Sequence, residues 1–238
     1  FISGRGARHA GAELSALLTR LGAAYLDTGE SRGLIADEHP SVVGAMRGAV
    51  MGQADLVVTV GRRLDFQLAY GSPAVFGQAR FLRIADCAAE LRDNRLGELG
   101  LLADVKLTLQ AILDASPSES PASVSEWLEG LRRQHLERST KLVHSMRHAS
   151  PGSDGLMHPN RILAALRDSL PQDSIVIADG GDFLSFARVG LPASTYLDPG
   201  SLGCIGIGTP FGIAASLVHP NRTVVVATGD GAFGFNAM

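Results

Sequence analysis

The residues best suited to chemistry lie late in the chain, in TVVVATGDGAFGFNAM over residues 223–238. The β-branched run Thr223 to Thr228 predicts a buried parallel strand, which would deliver the Asp230 carboxylate between two glycines at its C-terminal end. Open α/β sheets bind ligands at that end. Gly229 and Gly231 permit a tight turn and let an anion approach the main chain, and the amides of Gly231, Ala232 and Phe233 are expected to point outward at the start of the next helix. Such amides suit a diphosphate. Asp230 adds a hard oxygen ligand for Mg2+, which takes its remaining ligands from phosphate and water. Taken alone, Gly-Asp-Gly reads as a plain strand-to-helix turn, so the company it keeps decides.

Two α/β units with parallel, Rossmann-like sheets are expected to position these residues, the second of them truncated. Residues 1–115 alternate helix-like and strand-like stretches. Leu14, Leu17, Leu18 and Leu21 fall on one helical face, Ala54 to Val60 and Arg80 to Ala85 read as short strands, and Leu107, Leu109, Ile112 and Leu113 supply a second helical face. Residues 116–154 read as a linker with a charged helix: SPSESPAS marks the boundary, and Ser125 can cap a segment running to about His148. Trp127, Leu128, Leu131, Leu142, Val143 and Met146 give that helix a broken apolar stripe, and its arginines and histidines read as a solvated face. The second unit, 155–238, predicts a helix over Arg161 to Leu170, a strand over Ser174 to Ala178, a glycine cluster at Gly180 and Gly181, and a helix from about Pro210.

Composition narrows the function classes. With 238 residues, 45% apolar and 19% charged, the chain can bury two cores. A net charge of −3 with scattered arginines argues against nucleic acid as a partner. No apolar run reaches the roughly 20 residues of a membrane span and no signal peptide opens the chain, so a cytoplasmic protein that binds no membrane is expected. Cys87 and Cys204 stand far apart without a CxxC partner and read as small buried hydrophobes. His9, His39 and His158 are isolated and suit exposed or capping roles. A start at Phe1 and a stop just after Gly-Asp-Gly read as the cut ends of a fragment.

Several blocks carry a family resemblance. ADGGDF at 178–183, DPGSLGCIGIGTPFGIAA at 198–215 and GDGAFGFNAM at 229–238 resemble, in order, the diphosphate domain of thiamine-diphosphate-dependent enzymes. ADLVVTVGRRLDFQLAYG at 54–71 and ELRDNR at 90–95 resemble the middle domain of the acetolactate synthase-like and 2-hydroxyacyl-CoA lyase-like branch. The resemblance implies thiamine diphosphate and Mg2+ as cofactors, with Asp230 as metal ligand. It also implies that Gly180, Gly181 and Asp182 lie against the diphosphate, that Gly203, Cys204 and Ile205 hold the cofactor's middle with Ile205 as its apolar wedge, and that Gly229, Gly231, Ala232 and Phe233 complete the grip. The activating glutamate and the metal motif's asparagine pair would lie outside residues 1–238, so no catalytic acid or base is assigned.

The implied activity is a carboligase or lyase acting on 2-keto acids. The alternatives are a 2-hydroxyacyl-CoA lyase or oxalyl-CoA decarboxylase taking an acyl-CoA, or, in another class, a non-catalytic nucleotide-binding or assembly module. A homodimer or homotetramer is implied for the full-length protein. FAD or ADP in a flavoprotein-like middle domain stays open. Gly4-Arg5-Gly6, Gly61-Arg62-Arg63 and Asp104 suit a nucleotide, Ala85 and Cys87 stand where FAD-binding relatives carry aspartates, and Arg62 and Arg63 serve equally as surface salt-bridge partners.

Overall fold

The computed structural model describes residues 1–118 and 121–236. The chain divides into two compact units, Phe1–Leu136 and Glu137–Met238, each built on a parallel sheet. The fold class is α/β.

The first unit runs β1 (Ile2–Ser3), α1 (Gly11–Leu21), α2 (Arg47–Gln53), β2 (Leu56–Val60), α3 (Pro73–Phe76), β3 (Arg80–Ala85), α4 (Ala88–Leu91), β4 (Leu99–Leu102), α5 (Val105–Ala115) and the beginning of α6 (Ala122–Arg147). The strands pair in the order β1-β2-β3-β4. Alternation along β2 sends Val57 to one face, where it meets Phe76, Phe81, Leu128 and Leu131, and Val58 and Val60 to the other, against Leu14, Leu17, Leu18 and Leu109. Leu14, Leu17 and Leu18 are fully buried, each contributing about 1.5–3 kcal/mol of apolar burial.

Three sequence expectations fail here for identifiable reasons. Leu107 is exposed, because Val105, Leu109 and Ile112 take the buried face of α5 and a residue two positions from Val105 and from Leu109 must point away. Ser125 is no cap: its amide bonds Pro121 O, placing it inside α6. Nor is the charged helix solvated throughout. Arg132 donates to the carbonyls of Glu38 and His39, and His135 Nδ1 accepts the Ala45 amide at 3.1 Å.

The loops leaving β1 and β2 touch main chain to main chain. Gly61 has φ +54°, and a Cβ there would stand 2.4 Å from Gly6 Cα, so glycine is required at this contact. Beside it, the buried Arg83 pairs with Asp93, whose other oxygen accepts the Leu64 amide at 2.8 Å. Arg95 donates to the carbonyls of Gly71 and Ala79 while stacking on Phe81, which ties the 62–71 segment to the sheet.

The second unit holds the end of α6, then α7 (Pro159–Ser169), β5 (Ile175–Asp179), α8 (Gly181–Gly190), β6 (Thr195–Leu197), α9 (Gly208–Val218), β7 (Val224–Thr228) and α10 (Asp230–Phe235). Its sheet runs β6-β5-β7, all parallel. β5 is buried along its whole length, as its unbroken apolar run requires. Val176 and Ala178 pack with Met146, Leu163 and Ala187, whereas Ile175 and Ile177 pack with Ala215 of α9. Helices therefore cover both faces, and the chain reverses its winding at β5. Among the described residues no helix is long and apolar enough to cross a membrane.

Two expected outcomes follow from the first unit. Asp93→Ala leaves the Arg83 guanidinium buried and unpaired and is expected to cost about 3–5 kcal/mol, checked by urea unfolding; a loss under about 1 kcal/mol would contradict the buried-pair account. The second concerns pH. Burial, foremost, holds the His39 and His135 imidazoles below the ordinary histidine pKa, with Arg132 acting in the same direction, the Ser15 main chain opposing it at His39 and Asp37 opposing it at His135. His39 Nδ1 accepts the Ser41 amide, so both rings are needed neutral. The unfolded chain then binds more protons than the folded one. Stability present above about pH 6.5 should fall as pH drops below it. Urea midpoints at pH 7.5 and 5.5 test this, and the His39→Gln, His135→Gln double variant should flatten the difference.

Candidate functional site

Three loops meet at the C-terminal edge of the second sheet. The register Asp179↔Thr228 ends β5 and β7 at the same height, so the turns into α8 and α10 start side by side. Gly180, φ +91°, caps α8, and a Cβ on it would stand 3.0 Å from Ala232 Cβ. The first bond inside α8 runs from Leu184 N–H to Gly180 O, which leaves the amides of Gly181, Asp182 and Phe183 at an open helix end.

The third loop is held by a residue that the sequence reading passed over. Asp179, 1% exposed, accepts the Gly206 amide at 3.0 and 3.1 Å through its two oxygens and the Gly208 amide at 2.7 Å. Asn236 Nδ2 donates to Gly206 O at 2.8 Å. A second buried carboxylate, Asp198, accepts the Gly200 amide and pairs with Arg188 of α8, fixing the loop's other end. A signal for Asp179 existed: a carboxylate closing a wholly apolar strand is too costly to bury without donors, and the glycines at 206 and 208 supply them.

Gly180, Gly181, Asp182, Gly229, Gly231, Ala232 and Asp230 gather around the ends of β5 and β7. Gly203, Cys204 and Ile205 lie together in the exposed stretch that leads into the clamped Gly206. Phe233 does not offer its amide: that N–H bonds Gly229 O at 2.9 Å, because helical pairing in α10 begins there. The Gly231 amide is also engaged, donating to Asp230's own Oδ1 at 2.8 Å. Both cysteines are exposed and not buried as expected, Cys204 in this glycine-rich loop and Cys87 at the start of α4.

The residues fit a diphosphate and a hard cation. At Gly181, Gly229 and Gly231 neither a left-handed backbone nor a neighbouring atom demands glycine, since a Cβ would meet open space there. That leaves room for a ligand to come up against the main chain. Among the described residues no group of three His, Cys, Asp or Glu could hold a metal ion. An ion at the exposed Asp230 would thus draw on phosphate, main-chain oxygen and water, the habit of Mg2+.

The first unit's nucleotide hints look different in place. Arg62 is buried and forks onto both oxygens of Asp65 at 2.8 Å, with a further bond to Gln67, so it is not a surface salt-bridge partner. Asp104 caps α5 by accepting the Leu107 amide. Arg5 and Arg63 are exposed. His158 caps α7, a role of the kind expected for it.

Comparison with known proteins accords with this geometry. Residues 1–112 match the family described as thiamine pyrophosphate enzyme, central domain, and residues 179–238 match thiamine pyrophosphate enzyme, C-terminal TPP binding domain. The chain is 30% identical to 2-hydroxyacyl-CoA lyase 2 of Caenorhabditis elegans, over 95% of this chain and 36% of that protein. It is 32% identical to a probable acetolactate synthase of Mycobacterium bovis, over 97% of this chain and 41% of the relative. With 2-hydroxyacyl-CoA lyase 1 of Mus musculus it shares 32% over its full length and 42% of the relative. The chain thus spans about two fifths of the curated relatives it matches. Two matched domains in the right order, over residues 1–112 and 179–238, make this chain a member of the thiamine pyrophosphate enzymes, in the branch of the acetolactate synthases and 2-hydroxyacyl-CoA lyases.

Proposed function

We propose that this chain forms the diphosphate-gripping part of a thiamine-diphosphate- and Mg2+-dependent carboligase acting on 2-keto acids. The observation that carries the reading is the set of glycines at 181, 229 and 231 that face open space beside the first turn of α8 and the exposed Asp230 carboxylate. Bound thiamine diphosphate supplies a nucleophilic thiazolium carbon and an electron sink for the substrate carbonyl. The protein's task is to hold and orient it.

In this reading the amides of Gly181 and Asp182 receive diphosphate oxygens, favoured by the positive end of α8. Asp230 gives Mg2+ one anionic ligand. Its Oδ1 now accepts the Gly231 amide, so turning that oxygen to a metal releases the N–H toward phosphate, and one carboxylate movement opens two contacts. Ile205, 39% exposed, offers an apolar surface to the cofactor's middle. In the first unit Arg62 and Asp104 are engaged internally, by Asp65 and by the Leu107 amide.

A second reading, a 2-hydroxyacyl-CoA lyase, is favoured by the nematode and mouse lyases, which match as closely as the mycobacterial synthase. Supplying the full-length protein with pyruvate or with a 2-hydroxyacyl-CoA, and following product formation, separates the two.

Asp230 tests the shared core of both. In the full-length protein Asp230→Ala is expected to weaken Mg2+-dependent binding of thiamine diphosphate by about 100-fold or more, and Asp230→Asn by less, with partial recovery at raised Mg2+. Calorimetric titration reads this out. Equal affinities in wild type and both variants would remove Asp230 from the site and leave it a turn residue.

A further inference from the structure

Gly206 is held by both of its main-chain groups from two different elements. Its N–H is taken by both oxygens of Asp179 at the end of β5, and its carbonyl by Asn236 Nδ2 at the end of α10. The residue has φ +93°, and a Cβ on it would stand 2.8 Å from Phe235 Cβ, so no side chain fits. Immediately before it, Gly203, Cys204 and Ile205 are exposed, while Gly206 itself is buried. Ile205, 39% exposed, thus directly precedes a buried glycine that is bonded on both sides.

We propose that Asp179 and Asn236 are positioning residues, a two-sided clamp on Gly206 that fixes the backbone presenting Ile205 to the cofactor. The clamp rests on the reading of this site as a thiamine diphosphate site. Asp179 suits the task because among the described residues no lysine or arginine pairs with it, so its carboxylate is satisfied by the loop amides and serves the loop alone. Both oxygens are in use. An asparagine at 179 would therefore set an N–H2 donor against an amide N–H in either orientation. Asn236, for its part, reaches the only main-chain group of Gly206 that Asp179 does not hold. The clamp also links the Gly-Asp-Gly helix to the glycine-rich loop, since Asn236 ends the helix that Asp230 begins.

The test uses the full-length protein and reads two quantities. Hydrogen exchange without cofactor, over peptides covering residues 203–208, is expected to speed up about tenfold in Asp179→Asn and in Asn236→Ala, the effect of losing one charge-assisted or well-placed hydrogen bond. Affinity for thiamine diphosphate with Mg2+ should fall by about tenfold in both. Ile205→Ala should weaken binding while leaving exchange as in wild type, because it removes what is presented and not what presents it. A merely structural role for the pair would lower the melting temperature and leave exchange and affinity of the folded protein unchanged, and that result overturns the clamp. Raised exchange with unchanged affinity overturns it as well. Should Asp179→Asn fail to fold, Asn236→Ala decides alone. If wild type binds no thiamine diphosphate, the functional reading fails, while unchanged exchange in the variants would separately sink the clamp.

Discussion

Burying a carboxylate at the end of an apolar strand obliges the surrounding chain to supply donors, and the second unit is arranged around meeting that demand at Asp179. The amides of Gly206 and Gly208 answer it, which fixes where the glycine-rich loop returns to the sheet and where α9 begins. Close approach then propagates outward. A Cβ on Gly208 would collide with Val226 and one on Gly212 with the same side chain, so α9 lies against β7 at main-chain distance. Gly181, Gly229 and Gly231 lie just beyond this frame, on turns whose height is set by the β5–β7 register.

The first unit solves the corresponding problem without a buried acid at its strand ends. Gly6 and Gly61 let two loops touch directly, and the Arg83–Asp93 pair with Arg95 holds the following segment from the other side. Two residues of that segment, Ala69 and Tyr70, adopt left-handed backbone at φ +46° and +54°. Such conformations cost non-glycine residues about 1–3 kcal/mol each and persist only where the surroundings over-determine them, as the Arg95 bond to Gly71 O helps to do here.

The elements were legible wherever hydrophobic spacing was strong. Leu14, Leu17 and Leu18 marked α1, and β-branched runs marked β2, β5 and β7, although β7, expected to be buried, is only half-buried outside Ala227 because it is an edge strand of the described sheet. The turns that carry Gly181, Gly229 and Gly231 were legible too, through Gly-Asp-Gly after a strand and through family resemblance. What stayed hidden depends on tertiary partners. Neither Asp179's donors nor the Asn236 contact can be seen in local sequence, since both join residues about 30 positions apart. The Phe233 amide was misjudged because helical pairing starts one residue earlier than the motif suggests. Arg132 and His135 read as solvated on a charged helix, yet their partners lie some 90 residues upstream.

Exposure of the two cysteines gives the molecule chemical handles at useful places. They are the only thiols in the chain, one in each unit. Cys204 stands beside Ile205, within the stretch held by Gly206, whereas Cys87 sits at the mouth of a short helix in the other unit. A maleimide or a spin label will thus report access to the glycine-rich loop from Cys204, with Cys87 in the same chain as its internal reference.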